Sequence, residues 1–107
     1  MKQGEVRWHT FRAPDKRRPV VILTRNSAIG YLNALTVAPV TRTARGIPTE
    51  VVVTLEDGMP AESVINLDIV HTVPKDTLGA LITQLTPQRM SEVKDAIAFA
   101  LGFDAIP

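Results

Sequence analysis

The sequence contains no cysteine. That excludes a disulfide framework, a thiolate metal site and a thiol nucleophile. Aromatic side chains are scarce, at 5% of the 107 residues, with a single tryptophan, Trp8, and a single tyrosine, Tyr31. The two histidines, His9 and His71, lie far apart in sequence. They form no metal-ligand spacing, and each reads as an ordinary strand residue. The six glycines are scattered, so there is no glycine-rich phosphate loop. No serine-triad signature is present. No apolar run approaches the roughly 20 residues that cross a bilayer. No apolar stretch follows Met1-Lys2-Gln3-Gly4-Glu5 either, so a secretory signal is not expected. With 45% hydrophobic and 21% charged residues the composition suits a globular protein, not a disordered tail. The expectation is one cytoplasmic domain over 1–107, without metal or cofactor.

What is present is an uneven distribution of charge. The formal net charge is only +1. Residues 1–54 nevertheless carry nine basic and three acidic side chains, a balance of +6, and residues 55–107 carry three basic and eight acidic ones, a balance of −5. Such asymmetry suggests a positive surface for an anion such as nucleic acid, unless folding interleaves the two halves.

Most of the chain reads as strands. Val6, Trp8 and Thr10 alternate with Arg7, His9 and Phe11, the period of a half-buried strand. Pro19 to Thr24 is apolar and β-branched, a central strand with Pro19 at its first position. Leu35 to Thr41 is a third strand, which Pro39 demotes to an edge or marks with a bulge. Thr49 to Leu55 is a fourth, closed by the turn Glu56-Asp57-Gly58. Ser63 to Val73 reads as a fifth, long strand ended by Pro74, and Leu78 to Leu85 as a short one formed in its later part. The period then changes. Met90, Val93, Ile97 and Leu101 recur at helical spacing, with Thr86 as N-cap, Pro87 at the first position and Gly102 as stop. The methionines and phenylalanines read as core packing. Five or six short strands and one terminal helix predict a mainly β, small, partly open barrel with a C-terminal α-helix.

Chemistry is left to three places. In Arg12-Ala13-Pro14-Asp15-Lys16-Arg17-Arg18-Pro19, Pro19 restricts Arg18 to extended geometry at a strand mouth. A guanidinium fork held there suits either a phosphate or a structural carboxylate partner, while Lys16 and Arg17 can simply be solvated. Thr41-Arg42-Thr43-Ala44-Arg45 offers hydroxyls and guanidiniums to phosphate oxygens at a strand end. Asp68 shares one strand face with Asn66, by alternation. It is read as solvated, salt-bridged, or engaged in positioning a base or in proton transfer.

Together these segments resemble the MazF/PemK (Kid) family of toxin–antitoxin ribonuclease toxins. Gly4-Glu5-Val6-Arg7-Trp8, Arg18-Pro19-Val20-Val21-Ile22, Val37-Ala38-Pro39-Val40-Thr41, Pro48-Thr49-Glu50-Val51 and Glu62-Ser63-Val64-Ile65 follow the family's order, as do Leu78-Gly79, Leu85-Thr86 and the Met90-to-Leu101 segment. The resemblance implies an SH3-like barrel of the CcdB/PemK type, a homodimer, and metal-independent cleavage of single-stranded RNA. In it the 2′-hydroxyl attacks the adjacent phosphate to leave a 2′,3′-cyclic phosphate and a 5′-hydroxyl. The family's catalytic Arg and Thr fall on Arg18 and Thr41. Lys16, Arg17, Arg42, Thr43, Arg45 and Asp68 are the accompanying RNA-binding candidates. A cognate MazE-like antitoxin with an acidic, disordered segment is the implied protein partner. Two departures stand out: the loop between the first two strands is short, and Asn66 stands where PemK-type members carry an Arg two residues before the matching Asp68. The general base is therefore unassigned, with Asp68 the candidate. A CcdB-like gyrase inhibitor and a non-catalytic RNA-binding barrel are the alternatives on the same fold.

Overall fold

The computed structural model describes residues 1–10 and 17–105. Among them are seven strands: β1 (Glu5–Thr10), β2 (Arg17–Ile22), β3 (Ala34–Thr41), β4 (Glu50–Val53), β5 (Ser63–Asn66), β6 (His71–Pro74) and β7 (Leu78–Gln84). A one-turn helix, α1 (Asn26–Ile29), follows β2, and α2 (Pro87–Leu101) follows β7. Neighbouring strands are antiparallel, in the order β4-β5-β3-β2-β1-β7. β6 adds to β3, and the curled sheet forms the expected partly open barrel carrying α2, with seven strands where five or six were expected.

The third strand is central, not an edge. One side of β3 pairs β2 through Val37, Ala38 and Pro39. Its other side serves β6 with Ala34–Val37 and β5 with Val40 and Thr41. Thr36 directs its backbone groups toward the β2 side, where its carbonyl accepts from Leu23 N at 2.8 Å. Alternate residues point opposite ways, so the N–H that Pro39 lacks would face the gap between β6 and β5. Proline is tolerated mid-strand because no partner stands there.

The long fifth strand is in fact two. Asn66 Oδ1 accepts from the backbone N–H of Asp68 at 2.9 Å, an Asx turn that ends β5. The chain leaves the ladder over residues 67–70 and rejoins the same side of β3, running in the same direction, as β6. Asn66 and Asp68 therefore do not share a strand face. β7, by contrast, runs the full length from Leu78. α1 has too few residues for a periodic signal; it is tied by Gln3 N donating to Asn26 Oδ1 at 2.7 Å and buries Ala28 and Ile29.

Both faces of β2 and β3 are covered, which is why Val20-Val21-Ile22 is continuously apolar. Val21, Ala38 and Val40 face one core with Ile65, Leu67 and Val93 of α2. Val20, Ile22 and Val37 face a second core with Ile29 and Val73. α2 follows its sequence signals closely. Thr86 Oγ1 accepts from Arg89 N at 3.2 Å, and Gly102 adopts φ 78° at the stop. The reading of phenylalanines as core fails here: Phe99 and Phe103 are exposed, on the outward side of α2 and just beyond it.

Asp57 links the β4–β5 connection to α2. Its Oδ2 accepts from Thr54 N at 2.8 Å, and its Oδ1 from Arg89 Nε at 3.0 Å. The Arg89 hydrogen bond, against some opposing burial, holds this carboxyl below its ordinary value of 3.8. A lowered carboxylate contributes stability above its unfolded pKa, and the contribution is lost as pH falls through the folded one. Asp57→Asn is expected to cost about 1–3 kcal/mol at pH 7. Urea unfolding at pH 7 and near pH 3 checks it: the gap between wild type and variant narrows at the lower pH.

Candidate active site

The site begins with a proline that cannot complete a ladder. On β2, Ile22 accepts from Gly4 on the β1 side while Leu23 donates toward β3, so backbone groups of odd-numbered β2 residues face β3. Pro19 is one of these and has no N–H to give. The β2–β3 pairing accordingly stops at Val20 opposite Pro39. Extending that register by two residues sets Arg18 opposite Thr41. Residues opposite one another project from the same face, so the guanidinium and the hydroxyl flank one opening where the two strands have come apart.

The row continues sideways. Arg18 is paired with His9 of β1, His9 with Leu78 of β7, and Thr41 with Val64 of β5. Arg18 is exposed, has no ion-pair partner among the described residues, and Thr41 is half-buried. A guanidinium and a hydroxyl at one strand opening, both reaching solvent, can stabilise charge developing on a phosphorus between them.

The other candidates separate. Arg17 projects from the opposite face of β2 and stacks on Trp8, its guanidinium carbon 4.6 Å from the ring centroid. Arg42 and Thr43 follow Thr41 directly and are exposed. Arg45 is committed to Glu50, whose Oε1 accepts from Arg45 N at 2.8 Å and whose Oε2 lies 3.4 Å from Arg45 Nε. Those bonds, the Arg45 backbone N–H first, hold Glu50 below the usual carboxylate range. Asp68 lies in the β5–β6 turn and accepts from Thr49 Oγ1 at 2.6 Å, so it fastens the turn to the start of β4. Lys16 lies outside the described residues.

Two residues that the sequence marked as ordinary belong to this end of the barrel. His9 and His71 sit edge to face, with ring centroids 6.3 Å apart and planes at 64°. His9 is buried, and burial together with the neighbouring His71 holds its pKa below the ordinary imidazole value. The available signal was the alternation of β1, which puts His9 on the face of Arg7 and not that of Trp8. Without the β5–β6 turn, nothing in the sequence brings His71 to it. Among the described residues no three potential ligands gather to hold a metal ion, and no helix is long and apolar enough to cross a membrane.

Comparison with known proteins gives this geometry a family. Residues 2–101 match the model of the PemK-like, MazF-like toxins of type II toxin–antitoxin systems. The probable endoribonuclease MazF2 of Mycobacterium tuberculosis is 34% identical over 103 residues, covering 95% of this chain and 99% of that one. Endoribonuclease MazF3 of the same organism is 40% identical over 90 residues, 84% and 87% of the two chains. Among solved structures, the M. tuberculosis toxin MazF-mt6 superposes with a TM-score of 0.84 at 36% identity, over 92% of this chain and 96% of its own. A mycobacterial endoribonuclease solved in complex with its cognate antitoxin superposes with a TM-score of 0.84 at 27% identity, over 100% and 97%. The strand order, the open β2–β3 end with Arg18 and Thr41, and the full-length match converge: the chain belongs to the PemK-like, MazF-like toxin family of type II toxin–antitoxin systems.

Proposed function

We propose that this toxin is a metal-independent endoribonuclease acting on single-stranded RNA in the cytoplasm, as one domain that works as a homodimer and is restrained by a cognate antitoxin. The observation that supports the reading is the β2–β3 register, which ends at Val20 opposite Pro39 and whose extension by two residues brings Arg18 to Thr41. A phosphodiester in that opening has its non-bridging oxygens between a guanidinium and a hydroxyl. The substrate's own 2′-hydroxyl attacks phosphorus, the 5′-oxygen leaves, and a 2′,3′-cyclic phosphate and a 5′-hydroxyl result. The cation and hydroxyl act by stabilising the charge of the pentacoordinate state, which is stronger in the transition state than in the bound substrate. Arg42 and Thr43 continue the polar surface along the strand end, where they support backbone contacts to the flanking nucleotides. The recorded antitoxin complex of a relative supports the partner assignment.

End-mapping of a long single-stranded RNA incubated with purified protein and EDTA tests this. The expected products carry cyclic phosphates and 5′-hydroxyls, so their 5′ ends accept phosphate from polynucleotide kinase without prior dephosphorylation. Ends bearing 5′-phosphates, or no cuts until Mg²⁺ is added, refute the reaction class.

A further inference from the structure

The reaction above needs an acceptor for the 2′-hydroxyl proton, and neither Arg18 nor Thr41 can serve. A guanidinium has no acceptor capacity and does not deprotonate in proteins. Asp68 is turned to Thr49, at 2.6 Å. Beside His9, the cross-strand neighbour of Arg18, stands a second imidazole that is only half-buried, that of His71.

Three strands deliver their ends to this place. Because β1, β2 and β3 are successively antiparallel, the C-terminal ends of β1 and β3 and the N-terminal end of β2 lie together, carrying His9, Thr41 and Arg18. His71 opens β6 opposite Val37, four residues along β3 from Thr41. His9 is directly opposite Arg18 in the β1–β2 register, and the ring of His71 lies 6.3 Å from that of His9. The two imidazoles differ in setting. His9 is buried and His71 half-buried. His71 Nδ1 lies 3.3 Å from the carbonyl oxygen of Ile69. A carbonyl can only accept, so Nδ1 carries the hydrogen, and in the neutral ring Nε2 keeps its lone pair.

We propose that His71 is the general base of the cleavage, with His9 as the positioning residue that holds its ring from behind. The inference rests on the ribonuclease reading. His71 Nε2 takes the 2′-hydroxyl proton as the O2′–P bond forms. The P–O5′ bond breaks, the 5′-oxygen takes a proton from water, and the imidazolium returns its proton to solvent. The charged and titratable groups at this end among the described residues are His9 on β1, Arg17 and Arg18 on β2, Arg42 after β3, Asp68 in the β5–β6 turn and His71 on β6.

His71→Gln keeps a polar nitrogen in a similar place and cannot take up the proton. The test uses an RNA oligonucleotide containing a cut site mapped for the wild type, and its 2′-deoxy analogue as an uncleavable binding probe. For the wild type, single-turnover rates rise with pH and then level once the base has lost its proton. For His71→Gln the rate falls about 10²–10⁴-fold and that limb disappears, while binding of the analogue stays within about twofold of the wild type's, well under the roughly 1.4 kcal/mol of a tenfold change. His9→Gln, with its folding checked by circular dichroism, is expected to keep a displaced limb at a lower rate. A His71→Gln protein that retains the wild-type rate and limb overturns the assignment, as does one whose loss is wholly in binding. A wild type that makes no cuts refutes the ribonuclease reading instead, and an inactive Arg18→Ala beside an active His71→Gln refutes the base alone.

Discussion

Replacing Arg18 with alanine is expected to slow RNA cleavage by about 10²–10³-fold, the loss associated with removing one preorganised charge-stabilising group. The size follows from the setting. Pro19 fixes the backbone beside Arg18, and His9 is its cross-strand neighbour, so the side chain starts from a constrained position at the opened end of the β2–β3 ladder. Little reorganisation is then needed when charge develops. The same exposure that makes the group available makes it dispensable to the fold. Arg18 is exposed and has no ion-pair partner among the described residues, so Arg18→Ala should unfold within about 0.5 kcal/mol of wild type. Arg18→Lys keeps the charge but loses the planar fork and recovers only part of the rate. Single-turnover kinetics on an RNA with a mapped cut site, with a melting curve for each variant, checks all of this. An Arg18→Ala protein as fast as wild type removes Arg18 from the site.

Ile65→Ala carries the largest expected effect on stability. Ile65 is fully buried in the middle of β5, opposite Val40 of β3 and Val51 of β4, in the core beneath α2. Truncating a buried isoleucine typically costs 2–5 kcal/mol, the spread reflecting how far the surroundings collapse into the cavity. Collapse is limited here because both cross-strand neighbours are β-branched valines with stiff side chains. A domain of about this size loses roughly 4–8 °C per kcal/mol, so a fall of about 10–30 °C in Tm is expected. Calorimetry measures it directly. Ile65 lies one residue from Val64, the neighbour of Thr41, so activity at low temperature should survive in the fraction that remains folded. A variant melting within 3 °C of wild type would mean that this core is far looser than its burial implies.

The helix and most strands are legible in the sequence because their signals are local. Thr86, Pro87 and Gly102 punctuate α2, and β-branched runs mark β2, β4 and β5. Arg18 and Thr41 are legible through resemblance, and Pro19 supplies a physical reason for their meeting. What stays hidden depends on pairing partners. Pro39 warns against a central strand, yet β3 is central, because the missing N–H falls between two partners and not opposite one. Ser63 to Val73 has the composition of one strand, and only the Asn66–Asp68 hydrogen bond breaks it. That break decides the site as well: it takes Asp68 out of the strand row and resets the register in which His71 joins β3, opposite Val37. Arg17 and Arg18 look equivalent on paper, but alternation sends them to opposite faces of the sheet, one onto Trp8 and one to the opening.

The position of β1 also bears on when the molecule becomes active. β1 pairs on one side with β2, complete by residue 22, and on the other with β7, which spans residues 78–84. The strand that carries His9 thus waits on one flank for a partner made some four-fifths of the way along the chain. Such distant pairings form late, because a long loop must be closed before they return any stabilisation. α2, which seals the core over Val21 and Ile65, comes later still. A ribosome translating this message has therefore passed the codons for Arg18 and Thr41 long before the sheet that holds them is closed. Closure of the sheet around these two residues thus falls at the end of synthesis.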